Sequence, residues 1–285
     1  MITERIAQVA INLVTLPSDE RVGQQIQEFG HLETVERWLS GIGPKSACSR
    51  ISQAVSSAQS VLDHAESSGI DFIVPGDSNW PVQLDDLDTQ TPVGLWVRGN
   101  IDCTVKLDES ISIVGSRAST TYGERVAAEL GTEASDADLL VVSGVAFGID
   151  AAAHRGALAA GGVSIGVLAC GVDIAYPAAH QGLIERIVER GLVVSEIPPG
   201  VPPRKQYFLV RNRIIAALSA QTVVVEAALR SGALSTAHWA QDLGRTVWGI
   251  PGPITSASSA GVHNEISQGS MTLLPTLNFS SHSKV

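Results

Sequence analysis

Four cations and two aromatics crowd one short stretch of the chain, "PPRKQYFLVRNR" at 202–213. Arg204, Lys205, Arg211 and Arg213 interleave with Tyr207 and Phe208, and no acid follows Glu196 before the apolar run "IIAALS". Cationic side chains hold phosphate oxygens and aromatic faces stack on unpaired bases, so this mixture suits a single polynucleotide strand. Lys205 and Arg211 are expected to face the ligand. Arg213 serves equally well as a ligand contact or as a core residue paired with Glu196 or Glu226. Phe208 either stacks on a base or packs in the core.

Other segments offer partners for that stretch. "IVGSRASTTYG" (113–123) reads as a strand, a glycine turn and a helix start. Gly115, Ser116 and Arg117 are expected to meet a phosphate there, beside amides left free at the helix end. The spacing is not GxGxxG, and the next strand ends in "VVSG" without the acid that would hold an adenosine ribose. NAD is therefore disfavoured and no cofactor is expected. "VSGVAFGIDAAAHRGAL" (142–158) contributes Gly144 to the binding set. Asp150 would repel a phosphate at that helix start and is read as structural. His154 lies four residues on, and a hydrogen bond between the two is expected to fix the loop. Glu226 is likewise read as structural at the site. HxxxH and HExxH spacings are absent, so no metal site is expected. In "LSGIGPKSACSRI" (39–51), Gly41 and Gly43 flank Ile42, with Lys45 behind them. This resembles a helix-hairpin-helix turn, whose outward amides would make an accessory DNA contact. A purely structural helix junction is the other reading.

These groups need a scaffold, and the remaining sequence describes one. The chain has 285 residues, 44% of them hydrophobic and 17% charged, with a formal net charge of −10. Two compact units fit in that length. The acidic balance argues against nonspecific wrapping of duplex DNA but leaves a local basic patch free to act, because exposed charges beyond roughly 10 Å are screened at 0.1 M salt. Cys48, Cys103 and Cys170 are widely spaced and are expected in the core. "MITERIAQVAINLVTLP" reads as an amphipathic helix rather than a signal peptide. No run reaches the length of a membrane span, and the protein is expected in the cytoplasm.

Residues 1–66 carry helical periodicity only, with helices after the first expected around 19–30, 31–40 and 46–67. Residues 67–107 hold two short strand-like runs and read as an extension connecting this module to the core. Trp80, Leu84, Leu87, Leu95 and Trp96 are expected to dock one unit on the other. From 108 to 275 the period changes. "ISIVGS", "LLVVS", "VSIGVLA", "LVVSE", "TVVVEA" and "TVWGI" are continuous apolar runs separated by amphipathic stretches. That pattern predicts an α/β fold with a mostly parallel sheet covered on both faces. Ligand residues then collect beyond the carboxyl ends of the strands. Residues 276–285 are expected to fray.

Taken in order, "IVGSRASTTYG", "VSGVAFGIDAAAHRGAL", "GVLACGVDIAYPAAH", "VSEIPPGVPPRKQYFLVRNRIIAALS", "VVVEAALRSGALSTAHWAQDLGRTVWGIPGPI" and "SSAGVHNEISQG" resemble the bacterial DNA-processing protein A (DprA/Smf) family. The resemblance covers about 70–275 strongly and the helical front end more loosely. It implies an extended Rossmann-like core behind a sterile-alpha-motif-like or helix-hairpin-helix module, and a homodimer. It also implies single-stranded DNA binding, protection of incoming strands in natural transformation, and loading of the RecA recombinase past single-strand-binding protein, with no catalytic step. By the same resemblance the phosphate-binding arginine falls on Arg117, the DNA-binding lysine on Lys205 and the base-stacking phenylalanine on Phe208. The family's RNR signature falls on Arg211, Asn212 and Arg213, and its glycine turns on Gly115, Gly144 and Gly148. Three departures accompany it. Phe147 stands at a place often basic or polar, and Ser270 where alanine is common. The sequence also stops at 285, where many relatives continue into a winged-helix-like domain. Two other function classes stay open on the residues: a nucleotide or nucleoside-phosphate hydrolase of a related layered fold, and a non-catalytic nucleotide-binding scaffold. Against the hydrolase, "PGPITSASSAG" lacks the glutamate of the "PGGxGTxxE" loop those enzymes carry.

Overall fold

The computed structural model describes residues 2–277, the side chain of Val105 excepted. The expected frayed tail lies, from 278 onward, outside the described residues. Four helices open the chain: α1 (Glu4–Val14), α2 (Glu20–Leu39), α3 (Lys45–Cys48) and α4 (Ile51–Ser67). Thr3 caps α1 through its hydroxyl, and Asp19 caps α2 through its carboxylate. Gly30 (φ 74°, ψ 172°) breaks α2 into two rods, close to the expected boundary. Ala10, Ile11, Val14, Val35, Trp38 and Ile51 close a core belonging to this module.

The strands β1 (Asp71–Ile73) and β2 (Leu95–Gly99) follow. Then come β3 (Ser110–Val114), α5 (Thr121–Asp136), β4 (Leu140–Ser143), α6 (Ile149–Ala159), β5 (Ser164–Val167), α7 (Gln181–Arg190) and β6 (Leu192–Ser195). The chain continues through α8 (Lys205–Ala217), β7 (Gln221–Val224), α9 (Ala233–Asp242), β8 (Thr246–Gly249), α10 (Ala260–Ser267) and β9 (Thr272–Leu273). One sheet holds all nine strands in the order β1-β2-β6-β5-β4-β3-β7-β8-β9. The pairs from β6 to β9 are parallel, as the unbroken apolar runs predict. Strands β1 and β2 add antiparallel to β6, so residues 71–99 extend the sheet itself rather than only bridging to it.

Alternate residues of one strand serve opposite faces. Leu140 and Val142 of β4 pack with Ile214, Ile215, Leu218 and Ala237 on the α8/α9 side, while Val141 packs with Leu130 and Ala153 on the α5/α6 side. Trp80, Leu84, Leu87 and Leu95 are buried on the α8/α9 side, so they complete the core rather than dock the helical module. Trp96 does meet that module. Its indole donates to Asn12 Oδ1 (2.9 Å), and Asn12 Nδ2 donates to the Glu196 carbonyl (2.9 Å). The asparagine that interrupts the first helix's apolar pattern is thus a buried polar tie between module and sheet.

From β3 the chain winds outward through β4, β5 and β6, then returns to β7 on the other side of β3. The strand order reverses between β3 and β7. At that switch point the two following loops splay apart and leave a crevice, the usual ligand position in such sheets. No helix among the described residues is long and apolar enough to cross a membrane.

Candidate nucleic-acid interface

The crevice at the switch point is a basin of about 450 Å³. Arg117 and Ala118 line it from the β3–α5 turn, Lys205, Phe208, Leu209 and Asn212 from α8, and Ser231 and Gly232 from the approach to α9. Helix α8 begins at Lys205, earlier than the extended approach expected from its prolines. Pro203 is the last residue that resists helix, so a coil can start just beyond it. Lys205, Phe208, Leu209 and Asn212 then recur at helical spacing and share the face that looks into the basin.

Charge is distributed to favour an anion. Arg117 and Lys205 form no ion pair among the described residues, and both α8 and α9 start without an acid in the first turn. The positive ends of two helix dipoles therefore face the same space as two unpaired cations. Arg117 also lies over the Phe208 ring, its guanidinium carbon 4.5 Å from the centroid. Phe208 is half-buried, tilted against Tyr176 with centroids 5.5 Å apart.

The remaining expected contacts are engaged within the protein. Arg211 is almost wholly buried, donating to the carbonyls of Gly144 (2.8 Å) and Val167. Burial draws its pKa down to about 10, against the stabilising charge of Asp150. It lines the back of the basin and locks the ends of β4 and β5. Gly144 is required for this, since a Cβ there would stand 2.3 Å from the Arg211 guanidinium. Arg213 has no exposed surface and pairs with Glu196 at 2.8 Å, which removes it from the phosphate contacts. Asn212 donates to the Gly232 carbonyl (3.0 Å) and so sets the loop before α9.

The β3–α5 turn is also less open than its sequence implies. The Ser116 amide donates to the Glu226 carbonyl (2.7 Å), and its hydroxyl accepts from Ala118 N (3.2 Å). The Glu226 carboxylate takes the Thr120 amide (2.9 Å) and hydroxyl (2.5 Å), and Thr120 caps α5. Gly115 closes against Ile149 and the Glu226 carbonyl, where a Cβ would collide. The amides of Ser116, Ala118, Thr120 and Gly123 are thus engaged within the protein. The side chains of Arg117 and Lys205 are the cations that line the basin without an ion pair among the described residues.

Asp150 accepts from Ala146 N (3.4 Å) and does not bond His154. Desolvation pushes its carboxyl up, opposed first by the Arg211 charge. His154 sits one turn deeper, its Nδ1 2.6 Å from the Ser164 hydroxyl. That hydroxyl donates to the Val141 carbonyl (2.9 Å), so Nδ1 carries the ring proton and donates. Burial lowers the His154 pKa to about 3 from 6.5. The unfolded chain accepts a proton below pH 6.5 that the folded chain refuses, so stability falls as pH drops through this window. The expected loss from this residue is about 2 kcal/mol between pH 6.5 and 5. Urea unfolding at the two pH values measures it, and His154→Leu should flatten the difference.

The turn at Gly41 and Gly43 lies on the helical module and lines neither the basin nor its neighbouring slot. Its amides do not all point outward. Gly41 N and Ile42 N close back on the carbonyls of Trp38 (3.0 Å) and Arg37 (2.8 Å), which makes the turn the C-terminal cap of α2. Lys45 beside it is exposed. Ser231 and Gly232 line the basin but are not among the residues expected from the sequence. The missed signal was a small-residue turn after β7, the strand across the switch point from Arg117.

Comparison with known proteins places this geometry. The chain is 45% identical over 208 residues to a DNA processing protein DprA of Mycobacterium tuberculosis, covering 70% of this chain and 54% of that protein. It therefore spans about half the length of that relative. It is 36% identical over 270 residues to protein Smf of Escherichia coli, covering 92% of this chain and 71% of that one. The X-ray structure of DNA processing protein A from Streptococcus pneumoniae superposes with a TM-score of 0.78 at 30% identity, over 99% of this chain and 98% of that chain. A structure describing the single-stranded DNA binding mode of DNA processing protein A from Helicobacter pylori superposes with a TM-score of 0.66 at 28% identity, over 74% and 94% of the two chains. Residues 71–281 match the family model described as DNA recombination-mediator protein A, and the chain belongs to that family.

Proposed function

We propose that this protein binds single-stranded DNA through the switch-point basin and acts as a recombination mediator. The observation that carries the reading is the convergence of Arg117, from the β3–α5 turn, with Lys205 and Phe208, from α8, on one crevice. Two unpaired cations supply phosphate contacts, and an adjacent aromatic supplies a stacking face. The strip is narrow and the surrounding chain acidic, so it follows one backbone but cannot neutralise a duplex face. The single-stranded DNA binding mode described for the Helicobacter pylori relative supports the same reading. Asp150, the acid in the basin lining, accepts from Ala146 N, and Glu226 is bonded to Thr120, so the proposal assigns no catalytic step.

Protection of strands, loading of RecA past single-strand-binding protein, and a homodimer complete the proposal, drawn from the family. Fluorescence anisotropy with single-stranded and duplex oligonucleotides of equal length, across a salt series, tests its base. Single strands should bind tighter without marked sequence preference, with log affinity falling linearly in log salt. Equal competition by duplex would remove the reading. Sedimentation across a concentration series tests the dimer, which a constant monomer mass would exclude.

A further inference from the structure

Arg117 and Phe208 form a ridge, with the phosphate basin on one side and a second, smaller cavity on the other. This slot has a volume of about 50 Å³, and its lining includes Phe147, Leu168, Ala169, Tyr176 and Pro177 besides the ridge. Three aromatic side chains, Phe147, Tyr176 and Phe208, stand in its lining. Tyr176 leans on Phe208, and Phe147 stands edge-on to His180 with centroids 4.7 Å apart. Three aromatic side chains are exposed among the described residues: Tyr122, Phe147 (48%) and Tyr176 (42%). Tyr122 is anchored through its hydroxyl to the Pro251 carbonyl (2.8 Å). The other two both stand at this slot, and the Tyr176 hydroxyl makes no hydrogen bond among the described residues. Large exposed rings gathered at one mouth beside an unpaired cation are a surface prepared for a ligand that is flat, apolar on its faces and attached to an anion.

We infer that the slot is a base subsite, in which an unpaired nucleobase of a bound strand stacks between Phe147 and Tyr176. The inference rests on the proposed single-strand reading and adds two residues to it. Arg117 lines both cavities, so a phosphate at the ridge leaves its nucleoside on the aromatic side. The loop carrying Tyr176 is held to the approach of α8: the Asp173 carboxylate accepts from Gly200 N (2.9 Å), and Gly171 N donates to the Val201 carbonyl (3.0 Å). Slot and basin are therefore positioned as one unit.

The test compares oligothymidylate with a wholly abasic strand of equal length. The probe proteins are the wild type, Phe208→Ala, and Phe147→Ala/Tyr176→Ala. Phe147→Leu/Tyr176→Leu keeps apolar bulk while removing both ring faces, should the alanine pair unfold. The slot variants should lose roughly tenfold in thymidylate affinity, within the range of stacking contacts, while abasic affinity and salt slope stay unchanged. Unchanged thymidylate affinity in the folded slot variants, with Phe208→Ala still impaired, would overturn the subsite and leave the proposed function standing. Equal loss on both strands would also overturn it, because the walls would then act on the backbone. Failure of the wild type to bind either strand would remove the proposed function and the subsite together.

Discussion

Replacing Arg117 and Lys205 together with alanine is expected to lower single-strand affinity by about two to four powers of ten. Neither cation forms an ion pair among the described residues, so each is free to make a charge-assisted contact with a phosphate. Such contacts contribute roughly 1.5–3 kcal/mol apiece, or about 3–6 for the pair. Their loss should reduce the log–log salt slope by about 0.7 per contact. The fold should survive, because the side chains of Lys205 and Arg117 are exposed and Arg117 rests on the face of Phe208. Arg117→Lys separates two of its roles: the point charge remains, while the planar fork and the stack on Phe208 are lost. Salt-dependent anisotropy, with thermal unfolding as a control for folding, reads both variants. Normal binding by the folded double variant would overturn the site.

Arg213→Ala should act on stability instead, costing about 3–5 kcal/mol in urea unfolding. Arg213 donates to Glu196 (2.8 Å), to the Gln90 carbonyl (3.1 Å) and to the Val210 carbonyl (3.3 Å) with no exposed surface. Removing it leaves Glu196 buried as an uncompensated charge. Burial already pushes the Glu196 carboxyl up, against the Arg213 charge that holds it down. In the variant the acid protonates more readily, so the cost should shrink as pH falls. Glu196→Gln placed on the same background should recover part of the loss, because the stranded charge is then gone. If Arg213→Ala remained fully stable at neutral pH, its assignment as a core residue would fail.

Arg211 and Arg213 mark the boundary of what the sequence could say. Within the cationic run, Arg211 reads as ligand-facing and Arg213 as either ligand contact or core partner of Glu196 or Glu226; both guanidinium groups are buried, Arg213 against Glu196. The run was visible because charges cluster along the chain. Which members are buried depends on Glu196, Gly144 and Val167, which arrive from other strands. Exposure is a property of the packed molecule, and a linear pattern carries it only through periodicity. That periodicity was masked at 205–213, where ligand-facing and core-facing cations alternate on one helix.

The parallel sheet was legible for the opposite reason. Strands β3 to β8 are covered on both faces, so burial leaves continuous apolar runs whose order along the chain predicts the architecture. Residues 71–99 were harder to place. Their pairing to β6 is antiparallel and nonlocal, and short strands at a sheet edge bear little pattern of their own. By itself the sequence determined the α/β class, the succession of small-residue strand ends and the positions of Arg117, Lys205 and Phe208 among them. Only the tertiary structure decided that Asp150 and Glu226 occupy the amides a phosphate could have used. It also brought Phe147 and Tyr176 together from separate loops into one slot, because contacts between distant loops are settled by how the helices pack across the sheet.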